Sequence, residues 1–267
     1  MRPVATTALL LTFAAAAFSQ TPTINPGGIV NAAATPSSGA IAPGSLVSIF
    51  GSNLSSAMTM SDSAPLSTNI GDVSVTIAGI AAPIVSVGAN QINVQAPWEI
   101  PTSDNAGPAA VVVTTGGTAS AAVNVTVASS APAIYSIGSQ GNVFNGDGTL
   151  AAPTNSIPGF ATHPAIIGDP AGIVILATGM GAVDSTIADG ANSSDVTRNT
   201  LTIPAVTIGG VPAQVTFSGL SPQFVGMNQI NVTIPVGTPT GPNVPLQIQV
   251  NGTVLSNIVT IAVSTGQ

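Results

Sequence analysis

Along much of the chain, apolar and polar residues alternate one by one. Val73 to Ile77 reads VSVTI, Val123 to Val127 reads VNVTV, Ile230 to Ile234 reads INVTI and Leu246 to Val250 reads LQIQV. A period of two sends successive side chains to opposite faces, so each run predicts a strand with one buried and one wet face, the habit of antiparallel sheets. Val, Ile and Thr suit such a pleated, half-buried surface. After the first 19 residues no stretch keeps a helical period. The 22 prolines and 29 glycines fall between the runs and cut them into short strands. TTGGT (Thr114 to Thr118) and VNGT (Val250 to Thr253) each join two alternating runs and predict tight hairpin turns.

The pattern is written twice. NQINVQAP (Asn90 to Pro97) returns as NQINVTIP (Asn228 to Pro235), and VTIAGIAAPI (Val75 to Ile84) as VTIGGVPAQV (Val206 to Val215). PGSLVSIFGSNL (Pro43 to Leu54) aligns with PAGIVILATGMG (Pro170 to Gly181) when Gly44 is set on Gly172, and the turn at Gly117-Thr118 answers to Gly252-Thr253. The order is the same in both halves, and the spacing drifts only where Gly, Pro and Ser allow insertions. Such a long two-copy period predicts tandem domains, not a solenoid. Each copy holds six or seven short strands, the count of an immunoglobulin-like sandwich. The expected fold is all-β, with two tandem antiparallel β-sandwiches over residues 20–130 and 131–267, joined near Ala128 to Ser136. In the repeated NQINV the expected roles are an Asn that opens a turn by bonding its own backbone and an Ile-x-Val pair that faces inward. The other reading gives the exposed amides to a sugar or a peptide.

NAAATPSSGAIAPGSLVSIFGSNL, VTIAGIAAPIVSVGANQINVQAPWEI and VTIGGVPAQVTFSGLSPQFVGMNQINVTIP resemble a family of secreted acidobacterial (Solibacter-type) proteins, known as a C-terminal domain. The resemblance runs from about Ile29 to Val263. GSLVSIFGSNL and VTIAGIAAPI also look like the opening strands of the IPT/TIG branch of immunoglobulin-like domains. The resemblance implies an all-β extracellular tandem and no catalytic residues.

The start of the chain adds a destination. Arg2 precedes an apolar run from Val4 to Phe18, with Ala17 and Ser19 forming an A-x-A-like site, which predicts a signal peptide over residues 1–19 cleaved before Gln20. The run is shorter than the roughly 20 residues of a spanning helix, so secretion or display at the cell surface is expected, without membrane insertion after processing. Charged residues make up only 4% of the chain, against roughly 25% in an ordinary domain. There is no Lys, and beyond Arg2 only Arg198 is basic. With so little positive charge to meet phosphates, nucleic acid is not an expected partner. There is no Cys, so no disulfide staples the fold.

Candidate chemistry is thin, and neither a catalytic residue nor a cofactor is expected. The one His, His163, has Asp169 six residues on, but no G-x-S-x-G elbow accompanies them. One His and scattered acids make a poor zinc set. NGDG (Asn145 to Gly148) reads as a hairpin turn, since it lacks the acids and terminal Glu of an EF-hand. Asp184, Asp189 and Asp195 share one acidic stretch and are the calcium candidates, because calcium takes oxygen ligands alone. Trp98, the sole Trp, and Glu99 are the ligand candidates: an exposed indole can stack on a sugar ring, and Glu99 could accept a hydroxyl. The alternative packs Trp98 at a domain junction. Phe50, Tyr135, Phe144, Phe160, Phe217 and Phe224 are mostly assigned to strand cores or adjacent turns. The expectation is a non-enzymatic extracellular interaction or structural module whose partner is a protein or polysaccharide. The alternative is a carbohydrate-binding module beside a separate enzyme. Sheet edges lacking Lys must be covered by a loop, by the neighbouring copy or by strand pairing with another chain.

Overall fold

The computed structural model describes residues 20–34 and 39–266; the expected signal peptide lies outside them. The described chain is nearly all β, with one short helical turn at Ser103–Ala106. In the first half the main strands are β1 (Thr23–Asn31), β2 (Leu46–Ser52), β3 (Val73–Ile77), β4 (Ile84–Val87), β5 (Gln91–Gln95), β6 (Ala109–Thr115) and β7 (Val123–Val127). One sheet runs β1–β2–β5–β4 and the other β7–β6–β3, each extended by two-residue strands. In the second half β8 (Val143–Asn145), β9 (Ile173–Thr178), β10 (Ala205–Ile208), β11 (Val215–Leu220), β12 (Asn228–Val232), β13 (Gly241–Val250) and β14 (Val259–Ser264) repeat the plan as β8–β9–β12–β11 and β14–β13–β10. Pairing among these strands is antiparallel throughout.

The alternation decides which atoms meet. Val73, Val75 and Ile77 are buried on one face of β3, as are Ile92 and Val94 on β5 and Ile230 and Val232 on β12. Two aliphatic cores result, one drawn from Ile24 to Val127 and the other from Ile134 to Val263. Neither holds a Phe; Phe160 and Phe224 are exposed in turns, as the turn assignment allows, whereas Phe50 is exposed on β2 and belongs to no core. The inward positions are filled by Ile, Val, Leu and Ala, while Phe50, Phe144 and Phe217 lie on strands outside both cores and Phe160 and Phe224 lie in connections.

The hairpins follow the expected chemistry. Gly116 and Gly117 have φ of 56° and 78°, both positive as a two-residue turn of the favoured hand requires. Ala78-Gly79 and Gly209-Gly210, at equivalent places in the two copies, do the same with φ of 53° and 80°, and 60° and 81°. The register revises one alignment. Val47 faces Val94, while Ile173 faces Val232, so Ile173 and not Ile175 is the counterpart of Val47. Setting Gly44 on Gly172 was therefore out by two residues, a slip the period of two hides because inward positions stay inward.

The NQINV phrase also needs correcting at its first residue. Asn90 is exposed and precedes the strand, whereas Asn228 is buried inside β12 with its amide on Gly219 and Met180. The two copies do not share a turn there. They do share the rest: Gln91 donates to Asn93 at 2.9 Å, and Gln229 to Asn231 at 2.9 Å, on the outward face of each strand.

Two sheet edges are guarded without lysine. In β1, Pro26 and a register shift between Ile24 and Ile29 interrupt the ladder. The outer side of β11 is covered by its own chain, since the Thr200 N–H donates to Ser218 and the Leu220 N–H to Arg198, each at 2.9 Å. Because the cores are dry and aliphatic, truncating Ile230, fully buried on β12, is expected to cost about 2–5 kcal/mol, read as a lowered urea midpoint.

Candidate functional site

The two halves meet along a seam where amide and hydroxyl side chains serve backbone groups. Asn31 donates its amide to the Ala131 carbonyl at 2.7 Å, and the Leu46 N–H donates to the Thr178 hydroxyl at 2.9 Å. Thr178 passes its own proton to the Gly226 carbonyl at 2.6 Å. Amides and hydroxyls, both donor and acceptor, satisfy the seam where charges are scarce.

The second half's segment between β9 and β10, residues 179–204, reaches across this seam. Its tip is Gly190, with φ of 76°, whose N–H donates to the Gln95 Oε1 at 2.6 Å and whose carbonyl accepts the Leu66 N–H at 2.8 Å. A Cβ on Gly190 would stand 2.7 Å from the Leu66 oxygen, so both the conformation and the close approach demand glycine. Beside it Asp189 accepts the Trp98 N–H at 2.9 Å. Burial pushes the Asp189 carboxyl upward, and the neighbouring Glu99 carboxylate pushes the same way.

Arg198 shapes the reaching segment from within. Its guanidinium is buried and meets Asp195 as a two-pronged pair at 2.7 and 3.0 Å. Its Nε donates to the Thr186 carbonyl at 2.9 Å and its Nη1 to Ser193 at 3.3 Å. The hydrogen bond from Arg198 holds the Asp195 carboxyl down at about 2. Asp184 is occupied elsewhere, accepting the Asn199 N–H at 3.1 Å and its amide at 2.8 Å. The three calcium candidates, Asp184, Asp189 and Asp195, thus each have a separate partner. Among the described residues no group of three or more His, Cys, Asp or Glu is placed to hold a metal ion.

Trp98 sits on the seam as the junction reading supposed, and it also faces a cleft. Its six-membered ring lies on Gly44, where an added Cβ would come within 2.3 Å, and its Nε1 is buried without a protein acceptor. Trp98 and the exposed Glu99 from the first half, with Ala182, Asp184, Thr186 and Ile187 from the second, line a cleft of about 360 Å³. The structure therefore joins Trp98 and Glu99 to Asp184, which the sequence had left apart.

His163 has a different partner from the one six residues away. Its Nε2 lies 2.9 Å from Asp147, in the NGDG turn, and its Nδ1 lies 2.8 Å from the Pro164 carbonyl. Asp169 instead caps its own turn by accepting the Ala171 N–H at 2.9 Å. With both ring nitrogens engaged and no serine among the partners, the arrangement is an ion pair that ties a turn to a neighbouring strand. Sequence reasoning missed Gln95, Gly190 and the role of Arg198. The copies did carry a signal: where the first has Gln95, the second has Thr233.

With this geometry in view, comparison with known proteins identifies one domain type. Residues 32–144 match the IPT/TIG domain. That match takes in the first sandwich after β1 and reaches the start of the second half, and it agrees with the all-β, immunoglobulin-like fold. No curated protein matches the chain. Among solved structures, domains 5–6 of the S-layer protein SbsC are 13% identical, with 92% of this chain and 100% of that one covered and a TM-score of 0.29. A putative phosphatase from Bacteroides thetaiotaomicron is 16% identical over 43% of this chain and 20% of that one, with a TM-score of 0.27. The full extracellular region of plexin A4 is 12% identical over 98% of this chain and 17% of that one, with a TM-score of 0.29. This chain thus spans only a fifth or less of the phosphatase and plexin structures. At these identities and scores the likenesses carry no functional information. Among the described residues no helix is long and apolar enough to cross a membrane.

Two outcomes test the site. Gln95→Ala leaves the Gly190 N–H without its acceptor and is expected to cost about 1–3 kcal/mol, followed by urea unfolding read from Trp98, the only Trp. The Asp147–His163 pair makes stability depend on pH. Its hydrogen bond to Asp147 raises His163 above its ordinary value of about 6.5, so that contribution is full below this pH and is lost as pH rises through the raised value. Asp147 is held far below its ordinary value of about 3.9, first by His163, so its contribution is present above that pH and is lost on acidification. Both groups are more than a third exposed, so the pair is worth under about 1 kcal/mol. His163→Asn should flatten the decline in thermal midpoint between neutral and alkaline pH.

Proposed function

We propose that this chain is a non-enzymatic interaction module acting outside the cytoplasm, with sandwiches over residues 20–130 and 131–267 working as one body. The observation that carries the reading is the 179–204 segment seated on Gln95, Leu66 and Trp98, which couples the halves and leaves their outer faces for contact. Export is read from Arg2 and the Val4 to Phe18 run, and the resemblance of the long phrases to a secreted bacterial family points the same way. The partner is an extracellular protein or a polysaccharide, with a sheet edge open to strand pairing by another chain as one means of contact. The non-enzymatic reading draws support from His163, whose ring nitrogens are both engaged without a nucleophile.

The test is capture. The protein beginning at Gln20, immobilised and exposed to cell-wall, polysaccharide and secretome fractions, should retain a specific component that elutes unaltered. Retention of nothing, or chemical change in the retained component, would overturn the reading. Light scattering of the free protein checks whether an edge pairs with a second copy.

A further inference from the structure

We propose that the seam cleft is a composite binding site for one neutral sugar residue of an extracellular glycan, complete only when the two halves are docked. The inference rests on the non-enzymatic reading and deepens it. The cleft has walls from both halves, with Trp98 and Glu99 on one side and Asp184, Thr186 and Ile187 on the other. Its volume of about 360 Å³ falls within the roughly 300–1,000 Å³ of small-ligand sites.

The lining selects the ligand class. Trp98 is backed by Gly44, so the indole is braced and offers a flat apolar surface at low entropic cost. Glu99 and Asp184 are both exposed, and their carboxyl oxygens can accept hydrogen bonds from the hydroxyls of a sugar. No basic residue lines the cleft, and Arg198, the nearest in sequence, is committed to Asp195. Phosphates, sulfates and uronates are thereby disfavoured. A quaternary ammonium is the competing class, because a Trp beside carboxylates also attracts cations. The side chains of Ser185 and Thr186 on the far wall, exposed hydroxyls, favour the polyol.

Dependence on docking follows from the same contacts. The 182–187 wall is held by Arg198 on the Thr186 carbonyl and by Asn199 on Asp184, and the segment is anchored through Gly190 and Asp189 to the first half. A sugar that bridges both walls therefore binds the docked state alone and stabilises it by mass action.

Trp98, as the only Trp, reports its own site. The protein beginning at Gln20 is titrated with soluble oligosaccharides of glucose, xylose, mannose and N-acetylglucosamine to millimolar concentration, and separately with tetramethylammonium. The expected result is a saturable shift of Trp98 emission with at least one sugar series, a raised urea midpoint in its presence, and an affinity about tenfold lower in Glu99→Gln and in Thr186→Ala. Thr186 is exposed and holds Arg198 through its carbonyl alone, so Thr186→Ala should keep the wild-type urea midpoint without sugar, and Glu99→Gln, which removes a like charge beside Asp189, should not lower it. No saturable change with any sugar overturns the site. Saturation by tetramethylammonium alone overturns the ligand class, and loss in Glu99→Gln but not Thr186→Ala overturns the composite architecture. The same mixtures are examined for shortened sugars. Cleavage would overturn the non-enzymatic reading and leave the site standing, whereas absent binding removes the site and leaves capture of other partners untouched.

Discussion

The satisfaction of buried backbone groups by uncharged side chains governs this molecule. A chain that is 4% charged cannot place ion pairs along its internal boundaries. A buried N–H or carbonyl left alone would cost about as much as the hydrogen bond it lacks. The seam solves this with Asn31, Gln95 and Thr178, each serving main-chain groups across or beside the junction. With the Leu66 N–H on the Gly190 carbonyl and the Trp98 N–H on Asp189, these contacts hold the two sandwiches against each other.

Charge is correspondingly concentrated where shape cannot come from strands. The 179–204 segment has no regular strand of its own beyond isolated bridges at Val183–Thr200 and Asn199–Gly219. It is organised around Arg198, which collects Asp195, Ser193 and the Thr186 carbonyl at one buried guanidinium. A planar, many-donor cation is suited to cross-bracing a loop in this way. The consequence for function is direct: the wall of the seam cleft is as well defined as the Arg198 cluster behind it, although the wall carries no secondary structure. The three acids of this segment are each bonded to protein, one to Arg198, one to Asn199 and one to the Trp98 N–H.

The His163 result shows how neighbours in sequence mislead. Asp169 lies six residues away and serves its own turn, while Asp147 lies in the adjacent hairpin and makes the ion pair. Strand pairing between Leu150–Ala151 and Thr162–His163 brings the two together. The same holds for Trp98, whose most informative neighbours, Asp189 and Asp184, come from the other half of the chain.

What the sequence determined by itself was whatever has a short period or a local cause. Alternation every second residue settled which side chains of β3, β5 and β12 are buried, because pleating leaves no other choice. Glycine settled the hairpins at Gly116-Gly117 and Asn251-Gly252, because tolerance of positive φ is a property of the residue itself. The doubled phrases settled the tandem plan. Only the tertiary structure decided the two-residue register of β9 against β12, since a shift by a full period leaves the inward face unchanged. It alone decided the partners of Asp184, Asp189, Asp195 and His163, and the meeting of Trp98 with the 182–187 wall. Those depend on how two finished sandwiches dock, and docking is set by shape and by single hydrogen bonds between residues far apart in the chain, which no local pattern encodes.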